Sequence, residues 1–184
     1  MKFKHENKRT GRTFQCKLRK EVCEATTKSG RPCRNRVVIG LKKCHLHRSV
    51  QVKQSNIPNA GKGLFAKKEY RNNDLIGHYR GQVLSNRQHS RRYGASQKDQ
   101  GPYSLQVRKD TVVDSSCHRF VMSMANGTAR QRDANARFVS RMNSETSGKV
   151  AVRATKRIRI GDEILVHYGR DYFRVAGNST HTTR

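Results

Sequence analysis

A mainly β fold of many short strands, preceded by a small cysteine-bearing module, is what these 184 residues predict. Three observations carry the prediction. From Ser55 onward the chain is a series of short apolar runs, among them GLFA, LIGHYRGQVLS, YSLQV, TVVD, ARFVS, KVAVRAT and EILVHYG, separated by Gly, Asn and Asp. Runs of this length, rich in β-branched residues and bounded by turn residues, read as strands rather than helices. Lys149 to Thr155 alternates polar and small apolar residues with the period of two expected of a half-buried strand, and RIRIGDEILVHYG reaches a strand through a Gly-Asp turn. Ahead of these runs, Cys23, Cys33, Cys44 and His47 fall within one 25-residue stretch.

The order along the chain begins with a basic arm, residues 1–21. The cysteine-bearing module is placed at 22–49, the β body at 50–174, and a polar tail at 175–184. Only Asn86 to Lys98 reads as a helix or an irregular insert. No run approaches the length of a membrane span, and the first residues, MKFKHENKRTGRTF, lack the apolar core of a secretory signal. An intracellular chain is expected, in which five cysteines serve as thiols or metal ligands rather than disulfides.

Charge is the dominant compositional feature. Forty Lys+Arg against thirteen Asp+Glu give a net charge of +27, the footprint of a protein that meets polyanions. The first 53 residues hold sixteen of those cations and only Glu6, Glu21 and Glu24 to oppose them. With 33% hydrophobic residues and no tryptophan, the core is expected to be lean.

In CEATTKSGRPCRNRVVIGLKKCHLH, Gly30 stands where a tight turn lets Cys23 and Cys33 converge, and Cys44-x-x-His47 puts two ligands on one turn. Three thiolates and an imidazole form a soft, tetrahedral donor set that suits zinc. Such an ion would be structural, supplying folding free energy that so polar a segment lacks. Cys16 and His45 are read as bystanders, and Cys117 as a small buried hydrophobe.

The stretch NAGKGLFA, Asn59 to Ala66, is a glycine turn of another kind. It lacks the Walker spacing and the third glycine of a dinucleotide fingerprint, so it is no phosphate loop. Three further signatures follow it in order: HYRGQVLS with Tyr79 and Gly81, RFVMSMANGTARQRDANARFV with Asn126 and Asn135, and GDEILVHYGRDYF with Glu163, Tyr168 and Gly169. Together they resemble the SET-domain lysine methyltransferases, over about Val52 to Phe173. The small unit with a zinc-finger-like arm is similar in size and arrangement to stand-alone forms found in large DNA viruses.

The resemblance implies a fold of several small sheets with a pseudo-knot near the C-terminus, and S-adenosylmethionine as cofactor. It implies that Lys62, Gly63, Leu64, Arg119, Asn126, Gly127 and Tyr168 hold the cofactor. Asn135 would pin the knot, Tyr168 would stand at the transferred methyl, and Tyr79 and Tyr103 would line the lysine channel. Two departures stand out. Asn126-Gly127 replaces the family's Asn-His, and the family's cysteine-rich segment after the last tyrosine is missing, leaving Tyr172 and Phe173 to close the channel.

Histones, or another basic lysine-containing protein, are the substrates this implies, with the arm anchoring the chain to nucleosomal DNA in the nucleus and no membrane partner. The opposing expectation is a non-catalytic chromatin or nucleic-acid-binding protein that keeps the SET scaffold.

Overall fold

The computed structural model describes residues 2–6, 13–17, 20–38, 42–94, 101, 103–117, 121–140 and 148–168. Arg119, Gly169, Tyr172, Phe173 and the 175–184 tail lie outside the described residues. At the N-terminal end, strands β1 (Lys2–Glu6) and β2 (Thr13–Lys17) pair antiparallel, as do β3 (Lys20–Val22) and β4 (Arg36–Val38). The body then opens with a hairpin of β5 (Val50–Gln54) and β6 (Lys62–Ala66).

Next come β7 (Leu75–Arg80), β8 (Gln82–Ser85), helix α1 (Asn86–Tyr93), β9 (Ser104–Arg108) and β10 (Thr111–Asp114). The helix starts where Ser85 and Gln88 form a reciprocal capping box: Gln88 N donates to Ser85 Oγ, and Ser85 N donates to Gln88 Oε1. It stops at Gly94, whose φ of 109° suits glycine, and residues 95–98 of the stretch read as a helix or irregular insert lie outside the described residues. Strands β8, β10 and β9 make a three-stranded sheet. Among the described residues no helix is long and apolar enough to cross a membrane.

The last four strands are β11 (Asn126–Thr128), β12 (Ala136–Val139), β13 (Lys149–Ala154) and β14 (Leu165–His167). With β7 they form a five-stranded sheet in the order β11-β14-β12-β13-β7. In β13 the alternation is as expected, with Val150, Val152 and Ala154 buried between more exposed neighbours. They join Leu64, Tyr70, Val113, Ile158, Ile164 and Val166 in the main core.

The unusual feature is where β14 lies. It runs parallel to both β11 and β12, pairing Asn126 with Leu165 and Ala136 with Val166. Strands β11 and β12 are consecutive in the chain, so the last strand is threaded between them, an arrangement connections in proteins ordinarily avoid. Asn135 fastens it. Its Nδ2 donates to Glu163 O at 2.8 Å, its Oδ1 accepts from Leu165 N at 2.8 Å, and its own N donates to Leu165 O at 3.0 Å. The stretch before β14 also runs beside β6, with Ile164 N donating to Leu64 O at 2.7 Å. The knot therefore brings the glycine turn, Asn126 and the chain's last described residues to one place.

Candidate active site

The cysteine cluster forms because a short hairpin closes on itself. Thr27 N donates to Arg31 O and Cys33 N to Ala25 O, each at 2.8 Å, across a turn in which Gly30 has a φ of 78°. Cys44 and His47 arrive on the following turn, where His47 N donates to Cys44 O. The ligand atoms of Cys23, Cys33, Cys44 and His47 all lie within 4.8 Å of one another. Cys33 Sγ is 3.9 Å from Cys44 Sγ, and His47 Nδ1 is 3.3 Å from Cys44 Sγ and 3.6 Å from Cys23 Sγ. A tetrahedral zinc with ordinary bond lengths spaces its sulfur and nitrogen ligands by roughly 3.5–3.8 Å, so this set could hold one.

Electrostatics agree with that chemistry. Burial works to raise the Cys44 thiol, but hydrogen bonds from Asn35, from the Leu46 and His47 backbone and from the His47 ring outweigh it and hold it at about 5. The thiolate, the form that binds metal, is thus favoured. His45 is exposed and outside the cluster. Cys117 corrects the expectation drawn from composition: it is disulfide-bonded rather than a lone buried thiol.

At the glycine turn, Asn59 and Gly61 both have positive φ, and Ser55 N donates to Gly61 O, closing the loop between β5 and β6. Glu163 is buried against this loop. Its carboxylate accepts from Ser55 Oγ at 2.7 Å, from Asn56 N at 2.8 Å and from Asn126 Nδ2 at 3.1 Å. Gly63 is required here for a reason the sequence did not reveal: a Cβ on it would stand 2.1 Å from Glu163 Oε1. Leu64 is wholly buried, its side chain in the core. Lys62 is exposed, and its carbonyl accepts from Asn126 Nδ2 at 3.2 Å.

Asn126 is thereby oriented. Its amide nitrogen also donates to Ser55 Oγ at 3.0 Å. With the nitrogen committed to three acceptors, Oδ1 is the end of the carboxamide left to accept from a ligand. Ser55 and Glu163 are the residues that set this orientation. Glu163 appeared in the motif without a role, and Ser55 carried no signal at all.

Beyond Gly127 lies the aromatic group. The Tyr168 hydroxyl donates to Ala125 O, and its ring stacks on Phe138 at 6.5 Å between centroids and 8° between planes. Phe138 in turn meets Tyr79 edge-on at 5.6 Å and 83°. The buried Tyr79 hydroxyl donates to Tyr103 O, and its ionisation is pushed upward first by burial, then by Tyr168, Asp114, Tyr93 and Tyr103 nearby. Tyr79, Tyr103 and Tyr168 are therefore brought together, with Phe138 as the wall between two of them. Phe138 was missed because one aromatic on a strand is usually ordinary core.

Behind this group, the fully buried Asp114 accepts from Arg92 Nη1 at 3.0 Å and from the Tyr93 hydroxyl at 2.9 Å. The pair ties α1 to β10 and so fixes the strand that faces Tyr79.

A family model for the SET domain matches residues 61–169. Among solved structures, a humanized mutant of the Chaetomium thermophilum Polycomb Repressive Complex 2 bound to the inhibitor GSK126 is similar at 19% identity and a TM-score of 0.55, over 67% of this chain and 15% of that one. The same fungus's complex with H3K27me3 and H3K27M gives 20% and 0.55, over 76% and 16%. Its autoinhibited conformation bound to S-adenosylmethionine gives 20% and 0.55, over 67% and 15%. At such identities the likeness is one of fold, and this chain spans only about a sixth of those chains. None of the curated proteins compared with the sequence matches it. With the family model laid over more than half of its length, from the glycine turn to the threaded strand, the chain belongs to the SET-domain family.

Proposed function

We propose that the chain is a protein-lysine N-methyltransferase that uses S-adenosylmethionine and acts on histones. The observation that carries this reading is the convergence, through the threaded β14, of an oriented Asn126 with Tyr168 on either side of Gly127. Membership of the SET family supports the reaction class, and the neighbour solved with S-adenosylmethionine supports the cofactor.

The residues present fit that cofactor. Asn126 Oδ1 is a neutral acceptor suited to the cofactor's ammonium group, and it is aimed by bonds that leave its nitrogen fully used. The Lys62 and Gly63 backbone and that of Gly127 would flank it, and Arg119 joins them on the strength of the family resemblance. When bound, the cofactor supplies a methyl group on a sulfonium that leaves as a neutral thioether, so no general acid is needed.

What remains for the protein is to align an amine with that methyl and to keep the amine uncharged. Walls made of Tyr79, Phe138 and Tyr168 do the second, because desolvation lowers the pKa of an ammonium, while ring faces draw the cation inward. Tyr168 engages its hydroxyl hydrogen in the bond to Ala125 O. Its oxygen lone pairs are then the acceptors that meet the amine and the developing charge. Tyr103 lines the same channel.

Histone tails in nuclear chromatin are the favoured substrate, because a net charge of +27 would hold the chain on nucleosomal DNA beside them, and the neighbour solved with H3K27me3 supports this. Calorimetric titration of the intact chain with S-adenosylmethionine tests the reading. Binding is expected, and Asn126→Ala should weaken it at least tenfold, the order of one hydrogen bond to a charged group, about 1.5–3 kcal/mol. Absence of binding by the intact chain would sink it.

A further inference from the structure

A cleft of about 450 Å³ lies between the cysteine module and the sheet, and Tyr79, Phe138 and Tyr168 do not line it. Its walls carry Lys42, Lys43 and Arg48 from the module, Lys68 from the turn after β6, and His78 and Arg80 from β7. None of its lining residues is acidic. The module's three cations flank Cys44 and His47 directly in sequence, so whatever orders those ligands also holds the cations in place. Tyr70 adds a brace, its hydroxyl donating to Ser49 Oγ at 2.8 Å and joining the module's end to the core.

Several details show that positive charge is concentrated here against cost. Lys149 stands directly across from Arg80 in the β13–β7 pairing, and like charges in that position oppose each other. Burial lowers the Arg80 guanidinium, so it is partly stripped of water. His78 is pushed down by burial and then by Arg80, Lys149 and Arg153. Among the described residues, the module's cations form one ion pair, Lys42 with Glu24, at 3.5 Å and largely exposed, which is worth little.

We infer that this cleft is a binding site for the phosphate backbone of double-stranded nucleic acid. Its floor is small and aliphatic, made by Ile76, Val121 and Met122, its two imidazoles are those of His47, turned to the cysteine cluster, and His78, and its lining holds no Phe, Tyr or Trp ring on which an unpaired base could stack. Single-strand sites rely on such rings, whereas a duplex offers only its phosphates to a cationic wall. The site reads charge and spacing, not sequence. It does not depend on methyl transfer, and it sets the anchoring contact on the folded module and β7 rather than on the arm alone.

Fluorescence anisotropy of the zinc-loaded full chain with a labelled duplex of arbitrary sequence, titrated over a range of KCl, tests it. Lys43→Gln with Lys68→Gln removes two exposed cleft charges. Lys28→Gln with Lys109→Gln removes two exposed charges elsewhere, and both variants should melt as the parent does. The cleft variant should bind more weakly at every salt concentration and lose about 1.8 from the slope of log K against log[KCl], two contacts at about 0.9 each, while the other pair loses much less. Equal losses in both pairs would mean affinity follows net charge alone and would overturn the site. So would tighter binding of a single strand of the same length.

Discussion

Gly127 and Tyr168 are packed so closely that a Cβ on residue 127 would lie 2.1 Å from Tyr168 Cδ2 and 2.5 Å from Cε2. The residue that departs from the family's Asn-His pair is therefore the surface on which the proposed central tyrosine rests. Gly127→Ala must displace the ring and with it the hydroxyl held by Ala125 O. A misplacement of about 1 Å costs on the order of 100-fold in rate. We expect kcat/KM for methyl transfer to fall by about that factor, with the melting temperature lowered by only a few degrees. Unchanged activity would show that Tyr168 is not held there by Gly127.

The threaded strand should be the weak point of the fold when Asn135 is removed. Asn135→Ala deletes two side-chain hydrogen bonds and leaves Glu163 O and Leu165 N without those partners. Each stranded group costs about 1–3 kcal/mol, and a domain of this size shifts a few degrees per kcal/mol. A drop of roughly 10 °C in thermal unfolding is the expected outcome. A shift within about 2 °C would mean that the strand pairs alone hold the knot.

Zinc should be present at one ion per chain by metal analysis of protein purified without chelator. Cys44→Ser, or a strong chelator, should remove it and unfold the hairpin around Gly30, since a structural site carries much of its module's folding free energy. The five-stranded sheet has its own core and should keep its circular dichroism signal. A chain that contains no zinc yet protects the module's amides from exchange would contradict the assignment.

Much of the body was legible because β patterning is local. Val150, Val152 and Ala154 alternate inward as their period of two requires, and the helix Asn86–Tyr93 falls within the stretch read as a helix or irregular insert. The four signatures were legible through their order, which the SET family match confirms. What could not be read is what lies across the knot. Gly63 is small because Glu163, at the far end of the domain, fills the space beside it. Ser55 and Phe138 gain their places only through pairings that no local pattern encodes. The cationic cleft is likewise assembled from the module, the turn after β6 and β7, each an unremarkable basic stretch in isolation.

The central claim is that this chain moves a methyl group to a lysine beside Tyr168. Transfer of labelled methyl from S-adenosylmethionine to purified core histones and nucleosomes, compared between the intact chain and Tyr168→Phe, tests it most directly. The account predicts label on histone from the intact chain and a loss of about 100-fold or more on removing the hydroxyl. No label from an intact chain that is folded and zinc-loaded, or equal label from both proteins, would contradict it.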